Sequence, residues 1–291
     1  MEKKKIIVTG ASGQLGRELQ ALAGTFPALD FFFTDRDSLP IGDPGRVTAF
    51  FRETRPAFCI NCAAYTAVDK AETEKDLAFA INGEAVGLLA LACKGVGARL
   101  IHISTDYVFD GQSAIPLKES DPTGPINIYG ASKLKGEQLA LQHNEDTVII
   151  RTSWVYSEFG NNFVKTMIRL MREKESIKVI NDQIGSPTYA ADLAAVILRI
   201  ASGEKFVPGI YHYSNEGQIS WFDFALAIKE LTSSSCSVDP ISTSQYPTPA
   251  KRPHYSLLDK SLIKTTYGLA IPGWKERLAV CIARLRAAAS S

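Results

Sequence analysis

The chain has 291 residues, 45% of them hydrophobic and 22% charged, with a formal net charge of +1. These proportions exclude a disordered chain, a collagen-like repeat or a disulfide-stapled miniature, and the balanced charge gives no reason to expect nucleic acid or an anionic membrane surface as partner. The length allows one large domain or two small ones.

The chain opens on Met1-Glu2-Lys3-Lys4-Lys5, basic like the start of an export signal, but the apolar run Ile6-Ile7-Val8 ends at Thr9-Gly10 and is too short to direct export. No later stretch approaches the roughly 18 apolar residues that span a bilayer, so a cytoplasmic location is expected. A first strand, Lys5 to Thr9, leads into a helix from Gln14 to Ala23. Strand Asp30 to Thr34, a helix over Arg46 to Glu53 and strand Ala57 to Asn61 follow. Leu77, Ile81, Ala85, Leu88 and Ala92 recur at helical spacing and predict the buried face of a long helix. Strand Ala98 to Ser104, a Gly- and Pro-rich loop from Asp110 to Pro125, a helix over Tyr129 to Gln142 and strand Thr147 to Arg151 complete the first half. Strand and helix in alternation predict an α/β fold of Rossmann type, a doubly wound parallel sheet over residues 1–152. Helices over Asn162 to Met171, Ala190 to Ile200, Trp221 to Leu231 and Lys275 to Ala287, with short strands between, predict a smaller mixed α/β substrate-binding lobe over 153–291. Elements within 177–205 are expected to rejoin the main sheet.

The five cysteines are an odd count without an export signal and read as reduced thiols. Cys59 and Cys62 match a redox spacing, but three residues apart on a strand their side chains point to opposite faces. They read as structural.

Directly after the first strand comes Thr9-Gly10-Ala11-Ser12-Gly13-Gln14-Leu15-Gly16. Glycines at Gly10 and Gly13 allow a tight turn and the close approach of a pyrophosphate to backbone N–H groups, and the helix N-terminus stabilises its charge. Gly16 lets helix and strand pack closely, and Gln14 and Leu15 open the helix beside the phosphates. A nicotinamide dinucleotide is the implied cofactor. Asp35, at the end of the second strand, stands where a carboxylate holds ribose hydroxyls, which favours NADH, whereas Arg36 beside it suits the 2′-phosphate of NADPH. Both remain open.

Tyr129-Gly130-Ala131-Ser132-Lys133 places a phenol and an ammonium on one face of a helix, and of ten tyrosines only Tyr129 has Lys four residues on. A neighbouring cation favours the phenolate and is expected to lower the phenol's pKa from near ~10. Ile103-Ser104-Thr105-Asp106-Tyr107 ends the fourth strand, and in open α/β sheets ligands sit outside the carboxyl ends of strands, so Thr105 becomes a hydrogen-bond donor to substrate.

Glycine turn, Ser/Thr at the end of the fourth strand, then Tyr-x-x-x-Lys, in that order, resembles the extended short-chain dehydrogenase/reductase superfamily. The resemblance sharpens to the dTDP-4-dehydrorhamnose reductase family over nearly the whole chain. It is carried by Gly13-Gln14-Leu15-Gly16, Asn61-Cys62-Ala63-Ala64-Tyr65-Thr66-Ala67-Val68-Asp69-Lys70-Ala71-Glu72, Ser104-Thr105-Asp106-Tyr107-Val108-Phe109, Arg151-Thr152-Ser153-Trp154-Val155-Tyr156, Asn161-Asn162-Phe163, Asn181-Asp182-Gln183 and Tyr246-Pro247-Thr248-Pro249-Ala250-Lys251-Arg252-Pro253.

The resemblance implies reduction of the 4-keto group of a dTDP-sugar, dTDP-4-dehydro-L-rhamnose, by NADPH or NADH. It implies Tyr129 as proton donor, Lys133 as cofactor ligand and tuner of the phenol, and Thr105 as the third catalytic group. Thr105 and Asp106 would contact substrate, Trp154 would face the deoxysugar, Arg252 would fork onto the diphosphate and Asn162 would touch the same region. Asp43, Ala63, Ala64, Tyr65 and Thr66 join the glycine turn as cofactor-lining positions. Some members of the family dimerise through a magnesium ion held by glutamates. Glu18 matches one of these, but another position is Ala191, with Asp192 beside it, and the chain ends at Ser291 without the C-terminal glutamate. A hard cation needs several oxygen ligands, so no metal and a monomer are expected. Related dehydratases carry an acidic pair after the threonine, whereas here Asp106 is followed by Tyr107, which favours simple reduction. A non-catalytic regulatory subunit can be built on the same scaffold, and intact Thr105, Tyr129 and Lys133 argue against it.

Overall fold

The computed structural model describes residues 3–290. Met1, Glu2 and Ser291 lie outside them, and with them part of the basic start and the terminal position compared above. The strands are β1 (Lys4–Thr9), β2 (Leu29–Phe33), β3 (Phe58–Asn61), β4 (Arg99–Thr105), β5 (Thr147–Thr152), β6 (Val155–Tyr156), β7 (Ser176–Ile180), β8 (Ile184–Gly185), β9 (Thr188–Tyr189), β10 (Gly209–Tyr213), β11 (Ile219–Ser220) and β12 (Ser237–Ile241). The helices are α1 (Gln14–Ala23), α2 (Pro44–Thr54), α3 (Val68–Ala71), α4 (Lys75–Phe79), α5 (Ala85–Val96), α6 (Ile128–His143), α7 (Phe163–Glu173), α8 (Ala190–Ser202), α9 (Trp221–Thr232), α10 (Ser261–Tyr267) and α11 (Trp274–Ser290).

Six strands form one sheet in the order β10-β5-β4-β3-β1-β2, and every neighbouring pair is parallel. The α/β, doubly wound parallel fold read from the sequence is the observed one. Parallel strands are covered on both faces, which is why Ile6, Ile7, Val8, Leu100, Ile101, Val148, Ile149 and Ile150 are all fully buried. The strand order reverses between β1 and β3, so the loops leaving these two strands flank a crevice at their carboxyl ends, where this fold places its ligands.

Helix α8 packs its Leu193, Ala194, Ile197 and Leu198 into the same core as Leu15 and Leu19 of α1. The strand that rejoins the sheet, β10, lies after the 177–205 range expected from the sequence. A second core, built from α7, α9 and α11 around Val164, Phe224, Ile228 and Leu278, carries the short pairs β7 with β12, β8 with β11 and β6 with β9.

The long helix over the sheet differs from its predicted face. Between α4 and α5 the chain makes a π turn, Ala80–Glu84; of the predicted stripe Ala85 is buried and Ile81 and Ala92 are partly so, but Leu77 is 45% exposed, and Ala78, Asn82, Val86, Leu89 and Cys93 are buried beside it. One extra residue per turn rotates the face. By length and composition this helix, Lys75–Val96, passes for a membrane span, contrary to the expectation of none, and 56% of its apolar window is buried inside the fold. Its buried residues pack on Ile7, Phe51, Leu100 and Ala140.

Candidate functional site

Gly10 leaves β1 with a φ of +67°, where a Cβ would stand 2.6 Å from the Ala63 nitrogen. A Cβ on Gly16 would lie 2.4 Å from the Gly10 carbonyl oxygen, so these two glycines let β1, α1 and the β3 loop converge. Gly13 precedes α1 without any side-chain cap, and the first two amides of the helix, Gln14 and Leu15, donate to no group among the described residues. Uncapped N–H groups at a helix N-terminus beside a bare turn make an anion site, and a dinucleotide pyrophosphate fits it. Leu15 itself faces the core, so its backbone, not its side chain, is available there.

The other cofactor candidates divide. Asp35 Oδ1 accepts from the Asp37 and Ser38 amides and from the Ser38 hydroxyl at 3.2, 3.0 and 2.8 Å. Those Ser38 contacts, first its backbone, hold the Asp35 carboxyl below its ordinary pKa. Arg36 is exposed. Asp43 caps α2, its Oδ1 accepting from the Gly45 and Arg46 amides, both at 3.0 Å. Ala63, Ala64, Tyr65 and Thr66 form the loop leaving β3. Asn82 fixes it: its Oδ1 accepts from the Tyr65 amide at 2.8 Å and its Nδ2 donates to the Tyr65 carbonyl at 3.0 Å. The same Nδ2 donates to Ser132 Oγ on α6 at 3.0 Å. The π turn brings Asn82 inward for this purpose.

At the end of β4 the chain brings Thr105, Asp106, Tyr129 and Lys133 together. Asn127 caps α6 through the Gly130 amide at 2.7 Å and donates to the Lys251 carbonyl at 2.8 Å. A Cβ on Gly130 would stand 2.1 Å from the Tyr107 carbonyl oxygen, so the start of α6 lies hard against the β4 loop. Thr105 donates to Asp106 Oδ1 at 3.0 Å and stands near enough to Tyr129 to oppose the rise of its pKa. Asp106 is buried, its Oδ2 has no partner, and burial pushes its carboxyl up to about 6 against the pull of Ser256 and Thr105.

The phenol departs from expectation. Burial pushes Tyr129 up to about 12, with Thr105 opposing and Asp106 adding to the rise; Lys133 does not lower it. The reason lies in Lys133, whose side chain is 2% exposed, whose Nζ donates to the Ile103 carbonyl at 2.6 Å, and whose own pKa burial brings down to about 8. The site at rest holds a neutral phenol.

Trp154 adopts a left-handed φ of +48°, rare for a bulky residue, and stacks on Trp221 with ring centroids 3.7 Å apart. One indole face is thereby covered. Arg252 lies on Asp69, at 2.8 and 3.0 Å, and on Thr248 Oγ1 at 2.6 Å. Asp69 also accepts from the Ala250 amide at 3.2 Å, which ties the Pro-rich loop to α3. Asn162 caps α7 through the Lys165 amide and donates to Gln14 Oε1 at 2.9 Å and the Ser157 carbonyl at 2.8 Å. It clamps the glycine turn to the second lobe.

The residues around Glu18 do not fit a magnesium ion. Glu18 is 2% exposed and its carboxyl pKa is raised by burial and then by Glu158 beside it, Glu158 bonds to the Tyr189 hydroxyl, and Arg284 stands 3.5 Å from Glu158. Ala191 offers no donor, and Asp192 is held by Arg277 at 2.7 Å and Asn215 at 2.8 Å. Among the described residues no group of three or more His, Cys, Asp and Glu side chains could hold a metal. All five cysteines are free, and the neighbouring Cys93 and burial push the Cys59 thiol pKa up.

Several groups of the site escaped the sequence reading. Asn82, Ser132, His102 and Ser256 are buried polar residues, and the signal for two of them was present: Asn82 interrupts an apolar helix, and His102 an apolar strand. A buried polar group needs partners, and here the partners are the cofactor loop and Lys133.

An open anion site at the switch point of the sheet, with a half-buried phenol and a buried lysine at the end of β4, is the build of a short-chain nicotinamide-dependent oxidoreductase. The chain matches the family described as the RmlD substrate binding domain over residues 4–287. It is 40% identical to the dTDP-4-dehydrorhamnose reductase of Burkholderia thailandensis, over 96% of this chain and 98% of that protein. It is 42% identical to that of Escherichia coli K12, over 93% and 94%. The crystal structure of dTDP-4-dehydrorhamnose reductase from Bacillus anthracis in complex with NADP superposes with a TM-score of 0.93 at 43% identity, covering 97% of this chain and 99% of that one. The chain belongs to the dTDP-4-dehydrorhamnose reductase family.

Proposed function

We propose that the protein reduces the 4-keto group of dTDP-4-dehydro-L-rhamnose to give dTDP-L-rhamnose, with Tyr129 as proton donor. When bound, the nicotinamide supplies the hydride. The observation that carries the reading is the state of the phenol: pushed up to about 12 by burial, it holds its proton throughout the neutral range, as a general acid for reduction must. Thr105 orients the phenol, and the unpartnered Asp106 Oδ2 accepts a sugar hydroxyl. As the C4 oxygen gains charge, the Tyr129 O–H bond breaks and a new O–H forms on the sugar. Lys133 then returns a proton to the phenolate and is itself reprotonated from solvent, so one proton is consumed per turnover.

The glycine turn and the Gln14 and Leu15 amides hold the pyrophosphate, and Ala63 to Thr66 line the dinucleotide. Asp35 has one oxygen committed to its own turn while Arg36 is exposed, which favours NADPH over NADH. Residues 1–152, joined by α8 and β10, form the cofactor side, and the second core with the Pro-rich loop forms the sugar side. Trp154, backed by Trp221, offers its remaining face to the apolar C–H groups of the deoxysugar, and Arg252 its fork to the diphosphate. Five free thiols suit a reducing cytoplasm, and the Arg284-filled carboxyl cluster suits a monomer without metal.

Supplying dTDP-4-keto-6-deoxy-L-mannose with each nicotinamide in turn tests substrate and cofactor together. One NAD(P)H is expected to disappear per sugar reduced, faster with NADPH. Tyr129→Phe is expected to abolish reduction and leave cofactor binding largely intact. Turnover without net loss of reduced cofactor would instead make the protein an epimerase or dehydratase.

A further inference from the structure

His102 is a fully buried histidine in the middle of β4, one residue from the carbonyl that holds Lys133. Asn61 and His102 stand opposite each other in the register of β3 and β4. The Asn61 amide has only one possible orientation. Its Oδ1 lies 3.1 Å from the Ala63 backbone N–H, which can only donate, and 2.6 Å from the Thr9 hydroxyl. Its Nδ2 therefore faces His102 Nδ1, at 3.0 Å, and must donate to it. A neutral imidazole that accepts at Nδ1 carries its proton on Nε2, and Nε2 faces Lys133 Nζ at 3.4 Å. An ammonium there meets a second donor, whereas an amine accepts from Nε2–H and still donates to the Ile103 carbonyl.

We infer that His102 is a positioning residue for the reaction: through the chain Thr9, Asn61, His102 it presents an N–H to Lys133 and makes that lysine give up its proton readily. This deepens the proposed reductase reading and rests on it, because a lysine that readily loses a proton is what the Tyr129 phenolate requires. His102 neither gains nor loses a proton in the cycle. Burial keeps its own pKa far below the usual histidine range, with Lys133 adding to the effect. The other titratable groups around Lys133 oppose the shift weakly. Glu137, one turn along α6, is paired with Arg151 of β5 at 2.7 Å. Cys62, at the end of β3, has its thiol pKa pushed up by burial and stays uncharged. Tyr129 remains a neutral phenol at rest.

Two measurements test this. In protein labelled with nitrogen-15 histidine, the ring assigned by its contact with the Asn61 amide protons should show a protonated Nε2 and a bare Nδ1; a proton on Nδ1 overturns the inference without any turnover being needed. In the pH profile of kcat, the alkaline limb of the wild type should be set by Lys133. In His102→Gln, whose carbonyl can accept from the ammonium, the limb should move up by about one pH unit, the size of one charge-assisted hydrogen bond. A folded variant whose limb stays or falls also overturns it. A wild type that binds cofactor but does not reduce the sugar would sink the reductase reading alone, leaving the ring tautomer to be judged by the first measurement.

Discussion

Arg252 shows how a charge is kept ready in a half-buried place. Its guanidinium pKa is raised by Asp69 against the opposing effect of burial, and the pair is 21% and 40% exposed at its two side chains. Such a pair adds little to folding, under ~1 kcal/mol, so its purpose is geometric. Asp69 holds the fork and the Ala250 amide together, and the loop from Tyr246 to Pro253 keeps one shape before substrate arrives. Arg252→Ala should therefore leave the melting temperature within a few degrees of wild type. It should raise KM for the nucleotide sugar roughly tenfold or more, since a hydrogen bond to a charged group is worth about 1.5–3 kcal/mol, while kcat changes less; steady-state kinetics with varied sugar separates the two. Glu137 and Arg151 behave differently, because both are almost fully buried, at 2% and 3%. Glu137→Ala leaves a buried guanidinium unpaired and should cost about 3–5 kcal/mol, visible as a lower midpoint in urea unfolding.

Among the elements, α1 and α6 carry the chemistry, and both are positioned by close backbone approach. Gly16→Ala places a Cβ 2.6 Å from Ala11 Cα as well as against the Gly10 carbonyl, and neither is a flexible side-chain end that can yield. Helix α1 must move off β1, at about 1–3 kcal/mol for overpacking of this kind. Its N–H groups then lose their aim, so cofactor binding should fall at least tenfold by fluorescence titration even in the folded variant. The glycine turn, the Tyr-x-x-x-Lys helix and the order of strands were legible in the sequence because local spacing alone determines them. What was not legible depends on partners distant in the chain. The hydrogen bond from Asn162 Nδ2 to Gln14, 148 residues away, is one such contact. The face of the helix over the sheet was displaced because periodicity cannot register a π turn. The sign of the Tyr129 shift was misjudged because spacing places Lys133 nearby but does not reveal that its Nζ is aimed at Ile103.

At the scale of the molecule, the two cores meet at a carboxyl pair. Glu18 belongs to α1, Glu158 to the loop after β6, and Arg284 and Tyr189 close the cluster from α11 and β9. Glu18 is buried and Glu158 only partly so, and a carboxyl beside a second carboxylate holds its proton more tightly. Burial first, then Glu158 beside it, push Glu18 from near 4.5 up to about 8, with Arg284 opposing. A carboxyl whose folded pKa is raised binds its proton more tightly folded than unfolded. Its stabilisation is complete below about 4.5 and is lost as pH rises through about 8. The wild-type melting temperature should therefore decline between pH 6 and 9. Glu18→Gln keeps a donor where the proton sits, but cannot ionise, so its decline over the same range should be shallower. Magnesium should not substitute for the proton, because Arg284 already stands beside the pair and Asp192 is held by Arg277. Scanning calorimetry of wild type and Glu18→Gln at pH 6 and 9, each with magnesium and with chelator, decides both points. A decline equally steep in the variant would remove Glu18 as its source, and a magnesium-dependent rise in the wild type would show that the cluster takes a cation.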